Sequence, residues 1–391
     1  MSQKVMNHKQ RVKSGLGGAS PKAVWDAFHP PRLTQARHLA GMTKKEVAQG
    51  IGVSPAAVGQ YETGTSKPRP DLIVGLANVL DVPIEFFIAG RPMGEIDTST
   101  AYFRSLRSTT AAQRHRALGV AGQVWELSHW LERRVQLPLV NLPGFTGGEV
   151  HPGSELSSDP VAAAQELRAR WGIGGGPVRH LVRQLETRGI VVFVPSAADD
   201  QTVTIDAFAA SGFPRPVMVL TPNRADDVYR HRFSAAHELG HLVLHASSTG
   251  DHRQEREADA FAAEFLTPRS SIFPLLPRRM DLARLADLSR AWGVSVKSLV
   301  YRCRELGLAS DATTSRAYQR LHKLSGEPGF AAQSTDGFPG EQPVMLRQAF
   351  ELAKRDQGLS IEQLSRELAW NPRRVRELLG VSDPRPILRL V

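Results

Sequence analysis

His237-Glu238-Leu239-Gly240-His241 sets two histidines four residues apart inside an apolar, helix-compatible run from Phe233 to Leu244. On a helix such residues stand one turn apart on one face, so both imidazoles can converge on a single metal ion. Glu238, beside the first histidine, then points near that ion without being forced to bind it. This geometry suits a zinc-bound water with a carboxylate general base. Only three positions are fixed by the pattern, so a third ligand is the necessary check. Glu255 lies 14 residues past His241 (255 − 241), room for a loop and a returning amphipathic helix through Leu266. Two histidines and one glutamate leave a fourth zinc position open, the catalytic arrangement. Asp259, one turn beyond Glu255, can accept the second ring N–H of a metal-bound histidine. Glu257 competes for the ligand role but projects about 200° around the helix from Glu255. Glu255 is preferred because an acidic residue follows it at i+4. His245 continues the histidine face, either as an extra ligand or as the residue closing the helix, where histidine suits the C-terminal dipole. His231 and His252 flank the site, placed for substrate contact or for solvent.

Two blocks carry a family resemblance. The run Arg232-Phe233-Ser234-Ala235-Ala236-His237-Glu238-Leu239-Gly240-His241-Leu242-Val243-Leu244-His245 is followed by Glu255-Arg256-Glu257-Ala258-Asp259-Ala260-Phe261-Ala262 and Leu266-Thr267-Pro268. Together they resemble the ImmA/IrrE family of zinc metallopeptidases. The resemblance implies a gluzincin-like α+β fold, one Zn2+ held by His237, His241 and Glu255, and Glu238 as base. Thr267 departs from the methionine frequent in the family before the final proline, a matter of packing. Val178 to Gly189 reads as a helix, and Ile190 to Val194 and Val217 to Leu220 as strands. The resemblance makes the last of these an edge strand leading into the active-site helix.

A second informative region lies nearer the start of the chain. Arg32 to Ala40 reads as a helix. Thr43 with Glu46 forms a capping box for the next helix, Gly52-Val53 turns, and Ser54 and Pro55 start another helix as N-cap and first residue. Gly64 ends it. Helix, glycine turn and capped helix make a helix-turn-helix pattern. Val47-Ala48, Gly52-Val53-Ser54, Val58, Tyr61-Glu62, Gly64, Pro68, Leu76-Ala77 and Phe86-Phe87 resemble the Cro/C1-type (XRE) DNA-binding domain. The resemblance sends the helix that starts at Pro55 into the major groove, with Ser54, Pro55, Ala56, Gly59 and Gln60 facing DNA. Gln60 can pair bidentately with adenine and Ala56 can touch a thymine methyl. Lys44 and Lys67 are placed for phosphates, with Arg69 a further candidate, although a solvated face is the competing reading. So few hydrogen-bonding side chains on the outward face favour help from dimerisation or DNA shape.

Composition agrees with a nucleic-acid partner: net charge is +10 and the isoelectric point about 10.0. Lys4, Lys9, Arg11, Lys13 and Lys22 fall in an acid-free start, read as a disordered basic tail that tracks phosphates or simply solubilises. No apolar run suits a membrane span or signal peptide, and the single cysteine, Cys303, excludes an intrachain disulfide. A cytoplasmic protein is the expectation.

The whole reads as multidomain, mainly α with a small β-sheet. The expected order is a tail (1–27), an all-α helix-turn-helix domain (28–92), a helical linker (93–137), a loop (138–159), the zinc peptidase domain (160–310), and a C-terminal helical region with linker (311–391). The linker is expected to be helical from Tyr102 to Val135. Its start, Tyr102 to Arg107, resembles the linker of fused XRE–ImmA/IrrE proteins, where it presents a substrate-like or sensor segment or simply packs. Leu282 to Leu306 forms a second helix-turn-helix-like pair around Gly293-Val294, which the resemblance assigns to the peptidase domain. Residues 326–342 read as a Gly/Pro/Ser-rich linker. Met345 to Leu379 reads as capped helices with a basic end, a binding or purely structural element. The expected function is a DNA-binding regulator, homodimeric on a palindrome, whose peptidase cleaves a partner regulatory protein. The alternatives are a repressor with a non-catalytic sensor domain and an antitoxin-like regulator.

Overall fold

The structure, a computed structural model, describes residues 19–94, 101–103, 110–145, 156–195, 207–220, 227–245, 251–327 and 329–382. Among the described residues, those from Ala19 to Arg91, with Arg366–Asn371, form one compact unit, and those from Pro92 to Ser365, with 372–382, form another.

The first unit contains α1 (Pro21–Asp26), α2 (Pro30–Leu39), α3 (Lys44–Ile51), α4 (Pro55–Thr63), α5 (Pro70–Leu80) and a 3-10 turn, Ile84–Phe87. Local chemistry fixes the α3–α4 turn. Thr43 Oγ1 accepts the Glu46 N–H at 3.2 Å, and Glu46 Oε2 accepts the Thr43 N–H at 2.7 Å, which closes the capping box. Gly52 ends α3 with φ 72°, a left-handed conformation that glycine adopts without a Cβ penalty. Ser54 Oγ then accepts the Ala57 N–H at 3.1 Å and starts α4. Val47, Val58, Leu76, Phe86 and Phe87 are buried and hold the helices together. Residues 19–27, anticipated as part of a disordered basic tail over 1–27, belong to this unit. Ser20 caps α1, whose Val24 is fully buried, and the Ala19 N–H donates to Glu85 Oε1 at 3.0 Å. A buried valine and a capping serine make 19–27 part of the domain. The lysines and arginine of positions 4 to 13 lie outside the described residues.

The second unit begins with β1 (Ala101–Phe103) and α6 (Ala111–Glu132), followed by α7 (Pro160–Arg170) and α8 (Leu181–Thr187). Next come β2 (Val191–Phe193), β3 (Phe208–Ala210), β4 (Val217–Val219), α9 (Val228–Leu244) and α10 (His252–Leu266). After these run α11 (Arg269–Ile272), α12 (Leu282–Trp292), α13 (Val296–Glu305) and α14 (Asp311–Leu324). Two 3-10 turns, Thr335–Gly337 and Pro339–Glu341, precede α15 (Met345–Gln357), α16 (Ile361–Leu368), whose last three residues count with the first unit, and α17 (Pro372–Leu379). The strand order is β1-β3-β4-β2, parallel only between β2 and β4. Neither the edge position expected of β4 nor the helix expected to start at Tyr102 is found. β4 is interior, paired with β3 on one side and β2 on the other, as suits its wholly buried Val-Met-Val. The linker expected to be helical from Tyr102 opens instead as strand β1, paired with β3; its aromatic pair carries strand propensity. Residues 104–109, the rest of the linker-like motif, lie outside the described residues.

Helices α12 and α13 add Leu285, Trp292, Leu299, Val300 and Cys303 to the core of this unit. Burial pushes the Cys303 thiol up to about 11, which leaves it protonated and inert. Within the stretch 326–342, expected as a Gly/Pro/Ser-rich linker, Gln333 and Glu341 are bonded to α8 and α9. The Val228 N–H donates to Gln333 O at 2.7 Å. The Glu341 carboxylate accepts the Leu181 and Val182 N–H groups at 2.9 and 3.2 Å and pairs with Arg232. Glu341 is 2% exposed, and a buried carboxylate at a helix N-terminus beside an arginine is compensated on both counts. Glu186 performs the reciprocal task, accepting the N–H groups of Val344 and Met345 at 2.9 Å each where α15 begins. Burial pushes its carboxyl up to about 7, against those hydrogen bonds and the charges of Arg183 and Arg347.

Candidate metal centre and DNA-reading helix

The candidate metal residues sit where α9 crosses α10. Gly240 makes the crossing possible: a Cβ there would lie 3.1 Å from the Phe261 ring and 3.2 Å from Ala258 Cα. Glycine inside the motif therefore lets the returning helix approach closely. His237, Glu238 and His241 are almost wholly buried, at 0%, 0% and 1% exposure. His237 Nε2 and His241 Nε2 lie 3.1 Å apart. Glu255 reaches both from α10, Oε2 at 3.5 Å from His237 Nε2 and Oε1 at 3.5 Å from His241 Nε2. One ligand atom from each residue lies within 4.8 Å of the others.

The surroundings fix the ring protons. Asp259 Oδ1 lies 2.8 Å from His237 Nδ1; a carboxylate only accepts, so the proton sits on Nδ1 and Nε2 keeps its lone pair. His245 Nε2 lies 3.0 Å from Glu257 Oε2, and His245 Nδ1 lies 3.0 Å from His241 Nδ1. The Glu257 carboxylate therefore accepts a hydrogen bond from His245 Nε2–H, His245 Nδ1 accepts from His241 Nδ1–H, and the lone pair of His241 is left on Nε2. Burial holds His241 neutral, its pKa lowered to about 4, and burial likewise lowers His245. Burial alone would raise Glu255, but the neighbouring imidazoles of His237 and His241 outweigh it and hold the carboxyl down at about 2, ionised. Two imidazole lone pairs and a carboxylate thus face one another. That donor set fits a divalent cation in the deprotonated state that metal ligation requires.

Several flanking residues take other places. Glu257 turns to His245 and to Arg253, 2.7 Å away. His245 is the C-cap of α9. His231, expected to touch substrate or solvent, does neither: it is 2% exposed and its Nε2–H donates to Glu341 O at 2.9 Å. His252 is exposed at the first residue of α10. Glu341, which fixes the start of α9, went unnoticed in the sequence because a lone glutamate in a Gly/Pro-rich stretch carries no pattern. The His245–Glu257 link was legible only in part, from the histidine at i+4 beyond His241.

In the first unit, Ser54, Pro55, Ala56 and Gln60 are exposed at the start and along one side of α4, and Gly59 is half-buried. Glu62, its side chain nearly buried, holds Arg37 at 2.5 Å and Lys44 at 3.3 Å. Lys44 stays about half exposed, beside the α4 face. Lys67 turns toward α1, its Nζ 3.4 and 3.3 Å from the carbonyls of Trp25 and Asp26 and over the Trp25 ring. Arg69 pairs with Asp71 at 3.1 Å.

These two sites define the class: a DNA-binding helix-turn-helix unit joined to an α+β unit with a peptidase-like His/Glu centre. Comparison with known proteins agrees. Residues 33–87 match the helix-turn-helix family, and residues 185–304 match the IrrE N-terminal-like domain family of peptidases. The chain thus carries a helix-turn-helix unit and an IrrE-like peptidase domain, each matched over its own segment. An uncharacterized HTH-type transcriptional regulator of Sinorhizobium medicae is 24% identical over 95 residues, 22% of this chain and 68% of that protein. A regulator of the same description in Rhizobium meliloti gives the same figures. The uncharacterized HTH-type transcriptional regulator YobD of Bacillus subtilis is 33% identical over 57 residues, 15% of this chain and 51% of that protein. No helix among the described residues is long and apolar enough to cross a membrane.

Proposed function

We propose that this protein is a cytoplasmic transcriptional regulator whose IrrE-like domain is a zinc-dependent metalloendopeptidase that cleaves a partner regulatory protein. The observation that carries the reading is the convergence of His237 Nε2, His241 Nε2 and the Glu255 carboxylate, with Glu238 on the same buried helix. Zinc held by these three residues would polarise a peptide carbonyl and acidify a water molecule. Glu238 takes the proton of the attacking water and returns it to the departing amide nitrogen. Asp259, and the link from His245 to Glu257, hold the two imidazoles in the tautomers that present Nε2.

The helix-turn-helix unit brings this chemistry to a regulatory site. Gln60 and Ala56 read base edges in the major groove, while Ser54, Pro55 and Gly59 keep the approach to DNA close. Lys44 meets a backbone phosphate beside them, and Lys67 does so from the end of α1. With one glutamine as the main direct reader, a homodimer on a palindromic operator supplies the remaining affinity.

The test is a comparison of new protein N-termini in cells producing the protein or its Glu238→Gln variant. A cleaved regulatory protein should yield a new N-terminus with the native chain and none with the variant. Equal cleavage products in both, or none in either at full zinc loading, would reduce the domain to a sensor.

A further inference from the structure

A cleft of about 910 Å3 opens between the start of α12 and the end of α14. Four arginines line it, Arg278, Arg279, Arg284 and Arg320, all of them solvent-exposed. Among the described residues none of the four has a carboxylate partner, whereas their neighbours do. Arg290 pairs with Asp287, Arg302 with Glu264, and Arg304 with Asp311. Asp281 is the one acid on the wall, and its Oδ1 is already engaged as N-cap of α12, accepting the Arg284 N–H at 3.1 Å. Four cations around one concavity repel one another unless an anion enters. The rest of the lining is apolar, with Met280 and Phe330 half-buried at its surface.

We infer that this cleft binds a phosphorylated small molecule of about nucleotide size. Guanidinium groups recognise phosphate oxygens in bidentate fashion, and several together suit a di- or triphosphate better than a single carboxylate. Met280 and Phe330 offer apolar surface for a base or a similar flat group. The volume falls within the range of about 300–1,000 Å3 typical of small-molecule sites. Concavity favours a compact ligand over the convex backbone of duplex DNA. The inference is independent of the proposed peptidase activity, since none of the candidate metal residues lines the cleft.

The experiment is fluorescence anisotropy of a fluorescent ATP analogue with the full chain, competed by unlabelled ATP, inorganic triphosphate, adenosine or a short random-sequence duplex. Saturable binding is expected, displaced by ATP, less strongly by triphosphate, and not by adenosine. The double variant Arg279→Glu/Arg320→Glu should weaken binding by about tenfold or more, as loss of charged phosphate contacts implies. Arg316→Glu, on α14 but outside the cleft lining, should leave it unchanged. Arg279→Gln/Arg320→Gln serves if charge reversal disturbs folding. No saturable binding at millimolar nucleotide would overturn the inference. So would equal losses in the cleft and control variants, which indicate unspecific attraction. Displacement by the duplex at lower concentration than by ATP would reassign the cleft to the DNA backbone and equally overturn it.

Discussion

Replacing Glu341 by alanine should loosen the helix that carries the candidate metal residues from a point far along the chain. The Glu341 carboxylate is buried, pairs with Arg232 of α9, and accepts two N–H groups at the start of α8. Removing one partner of a buried ion pair costs about 3–5 kcal/mol, and each buried N–H left without an acceptor about 1–3 kcal/mol. These contributions do not simply add, because Arg232 still donates to Gly293 O at 2.7 Å and Val178 O at 2.6 Å. The expected loss is therefore about 4 kcal/mol, near the middle of the range for a broken buried pair. Glu341→Gln keeps an acceptor oxygen and the side-chain shape, so it should cost about half as much. At about 2–4 °C per kcal/mol for a unit of this size, the alanine variant should melt about 10 °C lower. The assay is urea unfolding of both variants, with hydrogen exchange read on the amides of α8 and α9. An Arg232→Met/Glu341→Ala double variant should be less destabilised than the sum of the two singles, by about 2 kcal/mol. A loss below about 1 kcal/mol for Glu341→Ala, or additive single effects, would refute the reasoning.

Three further outcomes follow from the same geometry. Glu186 is raised from its usual 4.5 to about 7 in the fold, so its contribution to stability is fully present below about pH 4.5 and is lost as pH climbs through 7; at about 1.4 kcal/mol per unit this amounts to about 3 kcal/mol. Glu186→Gln should remove that share of the pH dependence of urea stability, and identical slopes in both proteins would exclude the assigned role. Gly240→Ala should force α9 and α10 apart and destabilise the unit by about 1–3 kcal/mol, with metal affinity falling in parallel; unchanged thermal stability would show that the crossing has slack. On DNA, Gln60→Ala should cost about 1–3 kcal/mol on the preferred operator and little on random sequence, while Lys44→Ala should weaken both and reduce the salt slope by about one. The opposite pattern would exchange their roles.

What could be read before folding was whatever depended on local spacing. The Thr43–Glu46 capping box, the Ser54 cap and the glycine turn of the helix-turn-helix unit are short-range devices, and the structure has each of them. The i, i+4 spacing put His237 and His241 on one face, and their Nε2 atoms lie 3.1 Å apart. What could not be read were pairings set by distant segments. Strand β1 owes its conformation to β3, more than a hundred residues later. Glu341 acts on α8 and α9 across a similar separation. Composition alone made 326–342 look like a linker, since Gly and Pro suit a turn packed on a helix as well as a free chain. The place of 19–27 in the first unit had no local signal, because α1 is only six residues, too short for a periodic pattern, and is held by Val24 and Glu85.

The most direct test of the proposed zinc centre is the metal content of purified Glu255→Ala and Glu257→Ala beside the native chain, by elemental analysis after exposure to stoichiometric zinc and desalting. Glu255 faces both Nε2 atoms, whereas Glu257 turns to His245. About one zinc per chain is expected in the native protein and most of it in Glu257→Ala, with little or none in Glu255→Ala. Zinc retained by Glu255→Ala and lost from Glu257→Ala, or absent from the native chain, would contradict the centre proposed for this domain.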